Sequence, residues 1–425
     1  MRRRDLFLGL SVLGIAGRGT AFGRPNCSFP ERRNPAPLYR RIAATPNDTY
    51  ATYPHANGFL SDGRIVIAQR GDKSVRYSAV SLDKPDAMHP LAEIAGARMY
   101  YAVSHGGLMV APTLFGARVV DLAKSGKSVL SWDDPEYTKN RSELSGSLRY
   151  NQDVDIAMDG SRVLLSRTLY EDKKIVSSSV VQLDIGSGRT LTIAEDIQDP
   201  STGEVVPLDH AHFSPFDPNW ICFCDARNRA VRRMWTWHPQ HANPARPLVD
   251  QSSTTKPLLF THERALFDRP SLLSIVYGSS PGAPRGLYEV PLSGKPPRLV
   301  SESNLDLHCN AGPHSDWYVV SLQGTADRDQ QAHLLDLCMR PGGQRDPDWL
   351  KSEKGYSFSD VVLVNSKTGA RSFLFQGANA NNAQPYEVQP AISPDGRWVI
   401  IKDARQHNVL GLEVDQNMLR EFLAG

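Results

Sequence analysis

A turn carrying Asp-Gly or a close substitute, followed at once by a β-rich run, returns roughly every fifty residues along this chain. Ser61-Asp62-Gly63-Arg64 leads into Ile65-Val66-Ile67-Ala68. Ser104-His105-Gly106-Gly107 leads into Leu108-Met109-Val110, and Met158-Asp159-Gly160-Ser161 into Val163-Leu164-Leu165. Asp217-Pro218 precedes Trp220-Ile221-Cys222-Phe223, and Asp268-Arg269-Pro270 precedes Leu272-Leu273-Ser274-Ile275. His314-Ser315-Asp316 precedes Trp317-Tyr318-Val319-Val320, and Ser393-Pro394-Asp395-Gly396 precedes Trp398-Val399-Ile400-Ile401. Asp-Gly tolerates the positive φ that tight hairpins demand. Four short strands per repeat make one propeller blade, so seven copies predict an all-β, seven-bladed β-propeller. Two β-sandwiches would not produce one recurring turn. A helical pattern is confined to 416–423, and a polar insertion at about 325–355 interrupts the sixth repeat. The ring is expected over 36–425. Residues soon after 35 are expected to pair with a strand near 409–414, which removes the edges an open sheet leaves.

Composition supports a packed core and narrows the partners. Hydrophobic residues make up 40% and charged ones 22%, as in globular proteins. Lys+Arg 48 against Asp+Glu 46 leaves +2, so no broad field exists to hold nucleic acid or an anionic bilayer. An acidic ligand would need a local basic site. Residues 1–21 read as an address: Arg2, Arg3 and Arg4 precede Asp5-Leu6-Phe7-Leu8, and Gly19-Thr20-Ala21 offers a small-x-small cleavage site. The apolar stretch between them is shorter than the roughly 20 residues a membrane span needs. The Arg-Arg-Asp-Leu-Phe-Leu run resembles a twin-arginine signal, which exports folded proteins across bacterial inner membranes. The expectation is a periplasmic or secreted bacterial protein, free of the membrane after cleavage. Of the five cysteines, Cys222 and Cys224 sit two apart on a strand, a poor geometry for a bridge. Cys309 and Cys338 could pair, and no C-x-x-C offers a thiolate zinc site.

Propellers place ligands where the first strands of the blades meet, so polar residues just before each repeat turn are the candidates. They are Asp209-His210-Ala211-His212, Arg232-Arg233-Met234-Trp235, Thr261-His262-Glu263, Leu307-His308-Cys309 and Gln384-Pro385-Tyr386-Glu387-Val388-Gln389-Pro390. Glu387 and Gln389, two apart, would share a strand face. Gly278-Ser279-Ser280-Pro281-Gly282 fits the serine-hydrolase pattern G-x-S-x-G, but that motif works on a strand-to-helix elbow, and here it joins two strands.

From about 205 to 403 the chain resembles the oligogalacturonate lyases, seven-bladed propellers that cleave short pectic uronides by β-elimination with manganese. His210-Ala211-His212-Phe213-Ser214-Pro215-Phe216-Asp217-Pro218 is similar to that family's Gly-His-Val-Gln-Phe-Ser-Pro-x-Asp-Pro. Phe223-Cys224 matches its Phe-Cys, although Asp225-Ala226-Arg227-Asn228 replaces His-Glu-Gly-Pro. The first 200 residues share only the blade pattern, including Tyr53-Pro54-His55 before the first turn. The resemblance implies catalytic roles for Arg233 and His262, from the Arg-Met-Trp and Thr-His-Glu matches. It implies metal binding by His308 and by the set Gln384, Glu387 and Gln389, where the family has Gln-x-x-His-Pro-His-Pro. Two family histidines are thus glutamate and glutamine here, a donor set suited to Mn²⁺, Mg²⁺ or Ca²⁺ rather than zinc. Mn²⁺ is the cofactor the resemblance implies. His210 and His212 are expected to contact substrate or support the ligands.

The chemistry asks for such equipment. β-Elimination removes a proton α to a carboxylate, so a cation must stabilise the charge that develops and a base must reach the carbon-bound proton. Residue chemistry favours His262 as base with Arg233 on the carboxylate, since arginine normally stays protonated; the resemblance implies the reverse. The expected substrate is an acidic, uronate-containing oligosaccharide. A non-catalytic propeller like the TolB-type periplasmic scaffolds, and a lyase for another acidic glycan such as ulvan, stay open. The four metal-ligand candidates should bring their ligating atoms within about 5 Å, given hard-metal bonds of about 2.0–2.6 Å, with Arg233 and His262 across a substrate-sized gap. Export gives its own test: changing Arg3 and Arg4 together to Lys should leave the precursor in the cytoplasm. Undiminished export on cell fractionation would exclude the twin-arginine route.

Overall fold

The computed structural model describes residues 38–135, 148–171, 174–227, 230–322, 356–380, 385 and 387–425. The recurring turns become hairpin turns in it. Asp62, Asp159 and Asp395 each accept the N–H two residues on, from Arg64, Ser161 and Arg397. Gly63 and Gly396 take φ values of 84° and 67°, which only glycine adopts without strain. Seven antiparallel sheets follow in chain order. They occupy 65–95, 102–133, 148–195, 208–247, 260–302, 306–380 and 391–414, the last completed by Tyr39–Ala44. The chain is therefore a seven-bladed β-propeller.

Closure comes from that last sheet. Tyr39–Ala44 lies antiparallel to Asn408–Val414, pairing Tyr39 with Val414, Ile42 with Leu412 and Ala44 with Leu410. Residues near the start of the described chain thus complete the blade built by its end. The first blade is the exception in strand number, with three. Its inner segment touches Ile65–Arg70 only through isolated bridges, Tyr50 to Ala68 and Phe59 to Ile65, and carries Tyr53 and His55 between them.

Seven apolar clusters fill the seven interfaces between blades. Val110 and Val119 meet Val163 and Leu165 between the second and third blades. Trp398, Ile400 and Val409 meet Ile65, Ile67 and Val80 where the ring closes. Both faces of a blade are covered, so strands read as apolar runs rather than alternations: Trp317–Leu322 and Asn408–Val414 are buried throughout. The expected terminal helix is Gln416–Ala424, capped by Asp415, whose carboxylate accepts from the N–H groups of Asn417 and Met418. Cys222, Cys224 and Cys309 are buried free thiols. Cys338, the insertion at 325–355 and the export segment 1–21 lie outside the described residues. Leu412 is fully buried beside Val399 and Leu410 in the cluster joining the sixth and seventh blades. Leu412→Ala should cost about 2–5 kcal/mol in urea unfolding. A loss under about 1 kcal/mol would show that the closing blade adds little.

Candidate active site at the axis of the ring

Side chains from all seven blades converge on one cluster, and only the axis of a closed ring is within reach of all seven. Tyr53 and His55 come from the segment before the first blade, Tyr100 from before the second, and Asp153 from the third. His210 and His212 come from the fourth, Glu263 and His262 from the fifth, His308 from the sixth, and Gln389 and Lys402 from the seventh.

Two bulges aim the histidines. The first strand of the fourth blade, Leu208–Phe213, shifts register between Asp209 and His212, and that of the fifth, Phe260–Ala265, between Thr261 and Arg264. In each bulge a histidine takes the left-handed conformation: His210 at φ 53° and His262 at φ 52°. Non-glycine residues there cost of order 1–3 kcal/mol, and such strain concentrates at functional sites. Asp209 offsets part of it by accepting the His210 N–H at 2.8 Å.

An ionic chain crosses the axis. Asp153 Oδ2 lies 3.3 Å from His210 Nε2, and Glu263 Oε2 lies 3.8 Å from His210 Nδ1. The other oxygen of Glu263 accepts from Arg233 Nε at 2.8 Å. Burial works against the His210 charge, yet Glu263, Asp153 and Asp209 raise its pKa to about 9. Glu263 is held well below the usual carboxylate range, Arg233 and His210 outweighing its burial. Arg233 is 7% exposed, and the Glu263 ion pair keeps it protonated in spite of burial. Burial, and then Asp209, push Asp153 up to about 7.

The remaining imidazoles are neutral. His262 gives its Nδ1 to the Leu307 carbonyl, leaving Nε2 with a lone pair, and burial and Arg233 lower it to about 3. Its ring centroid stands 4.0 Å from that of His308. His212 stacks on His55 at 5.3 Å, and burial lowers it to about 4. His55 is 2% exposed, and neither of its ring nitrogens has a hydrogen-bond partner among the described residues. The Tyr53 ring lies 4.8 Å from His55 and 5.1 Å from His210.

The predicted ligands meet in part. His308 Nε2 is 3.5 Å from Gln389 Nε2 and 4.0 Å from Glu387 Oε2, and Gln389 donates to Glu387 at 3.0 Å. Gln384 lies outside the described residues. The expected gap does not separate these groups from His262, because its bulge lays the ring against His308. Arg233 is engaged by Glu263. Its neighbour Arg232 pairs at the surface with Asp250. Ser280 of the G-x-S-x-G stretch is buried in a loop, donating to Pro257 and accepting from Leu259.

Lys402 completes the group and was not among the sequence candidates. Its ammonium donates to Gln389 Oε1 and stands 5.2 Å from the centre of the Tyr100 ring. Burial lowers its pKa to about 7, with Glu387 and Asp153 pulling the other way. An ammonium only donates, so Gln389 must turn its oxygen to Lys402 and its NH₂ to His308 and Glu387. The glutamine therefore turns its donors toward His308 and Glu387 and has an ammonium on its oxygen, an arrangement that disfavours a divalent ion at this point. A different trio could hold one by distance: ligand atoms of His55, Asp153 and His210 lie within 4.8 Å of one another, as do those of His210, Cys224 and Glu263. Two carboxylates hold a proton on His210 in both groups. Tyr53, His55 and Asp153 were legible only as residues ahead of a repeat turn. Lys402 was legible as one cation in an apolar run.

No family model and no curated protein matches the sequence. Solved structures do. An oligogalacturonate lyase in complex with manganese matches with a TM-score of 0.65 at 14% identity, covering 89% of this chain and 97% of that one. An oligogalacturonate lyase from Vibrio parahaemolyticus matches at 0.60 and 14%, covering 90% and 93%. The tricorn protease reaches 0.50 at 10%, with 88% of this chain and 36% of that one.

The charge states have a direct check. The His210 ring should titrate by NMR with a midpoint near the raised value of about 9, and Glu263→Gln should bring that midpoint down. A His210 midpoint near the ordinary value of about 6.5 would break the ionic chain. The chain has the fold of the oligogalacturonate lyases.

Proposed function

We propose that the protein is a polysaccharide lyase that cleaves uronate-containing oligosaccharides by β-elimination, acting in the periplasm or outside the cell. One observation carries the reading: in a fold shared with such lyases, basic side chains and neutral imidazoles gather at the axis. Arg233 and Lys402 supply positive charge for a substrate carboxylate. His262, unprotonated and with Nδ1 tied to Leu307, presents Nε2 as the base. The adjacent carboxylate of Glu263 favours the charge that ring gains.

The step balances within these residues. The C–H bond α to the carboxylate breaks and its proton goes to His262. The electron pair forms a C=C bond as the bond from the neighbouring carbon to the glycosidic oxygen breaks. That oxygen leaves with a proton, for which His210, held as an imidazolium, is the donor in this reading. Two like groups with pKa values pushed apart are the pattern expected of an acid and a base. Arg233 takes the carboxylate rather than the base role, because the Glu263 ion pair favours its protonated form. A divalent ion such as Mn²⁺ held by His55, Asp153 and His210 would supply further charge for the carboxylate, but it would require His210 to give up its proton and so would replace His210 as the donor.

Purified protein should generate the ultraviolet absorbance of an unsaturated uronide from oligogalacturonides, with ulvan oligomers run beside them as another acidic glycan. His262→Ala and Arg233→Ala should each lower kcat/KM by about 10² or more. Uronides that bind but stay saturated would leave a non-catalytic propeller in place of the lyase.

A further inference from the structure

Lys402 sits where the sequence motif leads one to expect the ligands of an ion, not a lysine. It lies on Trp398–Asp403, between Ile401 and Asp403, in a strand buried throughout. Its own exposure is 1%, so its charge is withheld from water. A buried ammonium is costly unless its donors and charge are answered. One N–H goes to Gln389 Oε1, and the Tyr100 ring lies nearby. No carboxylate among the described residues is in ion-pair range, although Glu387 and Asp153 are close enough to act on its charge. An ammonium has three donors, so it can still receive an anionic oxygen.

The hydrogen bonds around it form one consistent set. Lys402 donates to Gln389, and Gln389 donates to Glu387 and faces His308 Nε2. His308 Nε2, Glu387 Oε2 and Gln389 Oε1 are each met by a proton or face a donor. A divalent ion placed among these atoms would meet the amide donors of Gln389 and the like charge of Lys402. The base is also adjacent: the His262 ring lies against His308. A proton α to a carboxylate can be taken only if the carboxylate binder and the base lie close, and here His308 and Gln389 bridge His262 to Lys402.

Resting on the lyase reading for the identity of the ligand, we propose that the Lys402 ammonium takes the place of a divalent ion at the His308–Glu387–Gln389 point and receives the uronate carboxylate there.

Two measurements on the whole protein decide it. In the first, Mn²⁺ binding is followed by electron paramagnetic resonance in the wild type and in His308→Ala. The expected result is no Mn²⁺ whose binding depends on His308. Stoichiometric Mn²⁺ in the wild type, lost in His308→Ala, overturns the proposal and leaves the lyase reading standing. In the second, digalacturonate binding is measured by calorimetry in a chelator. Affinity should persist in the wild type, fall roughly ten- to hundredfold in Lys402→Met, and return in part in Lys402→Arg, the worth of a hydrogen bond to a charged group. Equal affinity in wild type and Lys402→Met, or its loss on chelation alone, also overturns it. Should Lys402→Met fail to fold, the manganese comparison and the chelator result on the wild type still decide. A folded wild type that binds no digalacturonate sinks the uronate reading, and the manganese comparison then rules on Lys402 by itself.

Discussion

Pairing of Tyr39–Ala44 with Asn408–Val414 is the constraint on which the axial cluster depends. Without it the seventh sheet would end in an open edge, and the apolar faces of the first and last blades would lose their cover. With it, seven interfaces are filled and seven first strands face one axis. A site assembled from every blade has no local alternative. Its geometry is as rigid as the ring, and loosening one interface shifts the relative placing of residues 349 positions apart in sequence, such as Tyr53 and Lys402.

Burial then sets the charge states. Five imidazoles sit within one buried cluster, yet they differ. His210 lies between Asp153 and Glu263 and carries a proton, whereas His55, His212, His262 and His308 are not held between two carboxylates and stay neutral. The two left-handed bulges make that distinction, since they decide which ring reaches the carboxylates and which lies on its neighbour. Glu263 links the pieces, because one oxygen answers Arg233 and the other faces His210.

The likeness to oligogalacturonate lyases is one of fold, at 14% identity. What differs at the axis is informative on its own terms. Where the sequence pattern leads one to expect oxygen and nitrogen ligands around an ion, the side chains hold a lysine, and they are hydrogen-bonded as a lysine requires. Glutamate and glutamine in place of histidines fit that environment, because a carboxylate answers a nearby positive charge and an amide can accept on one side while donating on the other.

Seven blades and the ring closure were readable from the recurring turns, and the terminal helix from the helical pattern at 416–423, since turn chemistry and periodicity act over a few residues. The candidates His210, His262, His308, Glu387 and Gln389 were readable because each precedes a repeat turn, and symmetry sends such positions to the axis. Asp153 also precedes a repeat turn, and Lys402 stands as one cation in an apolar strand, but neither position is marked by a motif that would set it above its neighbours. Nor could the His262 ring lying on His308 be foreseen, because a one-residue bulge turns a side chain by more than any spacing rule records. Local turns determined how many blades there are. Which charges meet, and whether a proton, a lysine or an ion sits between them, was decided only when the closed ring brought seven distant segments out of water together.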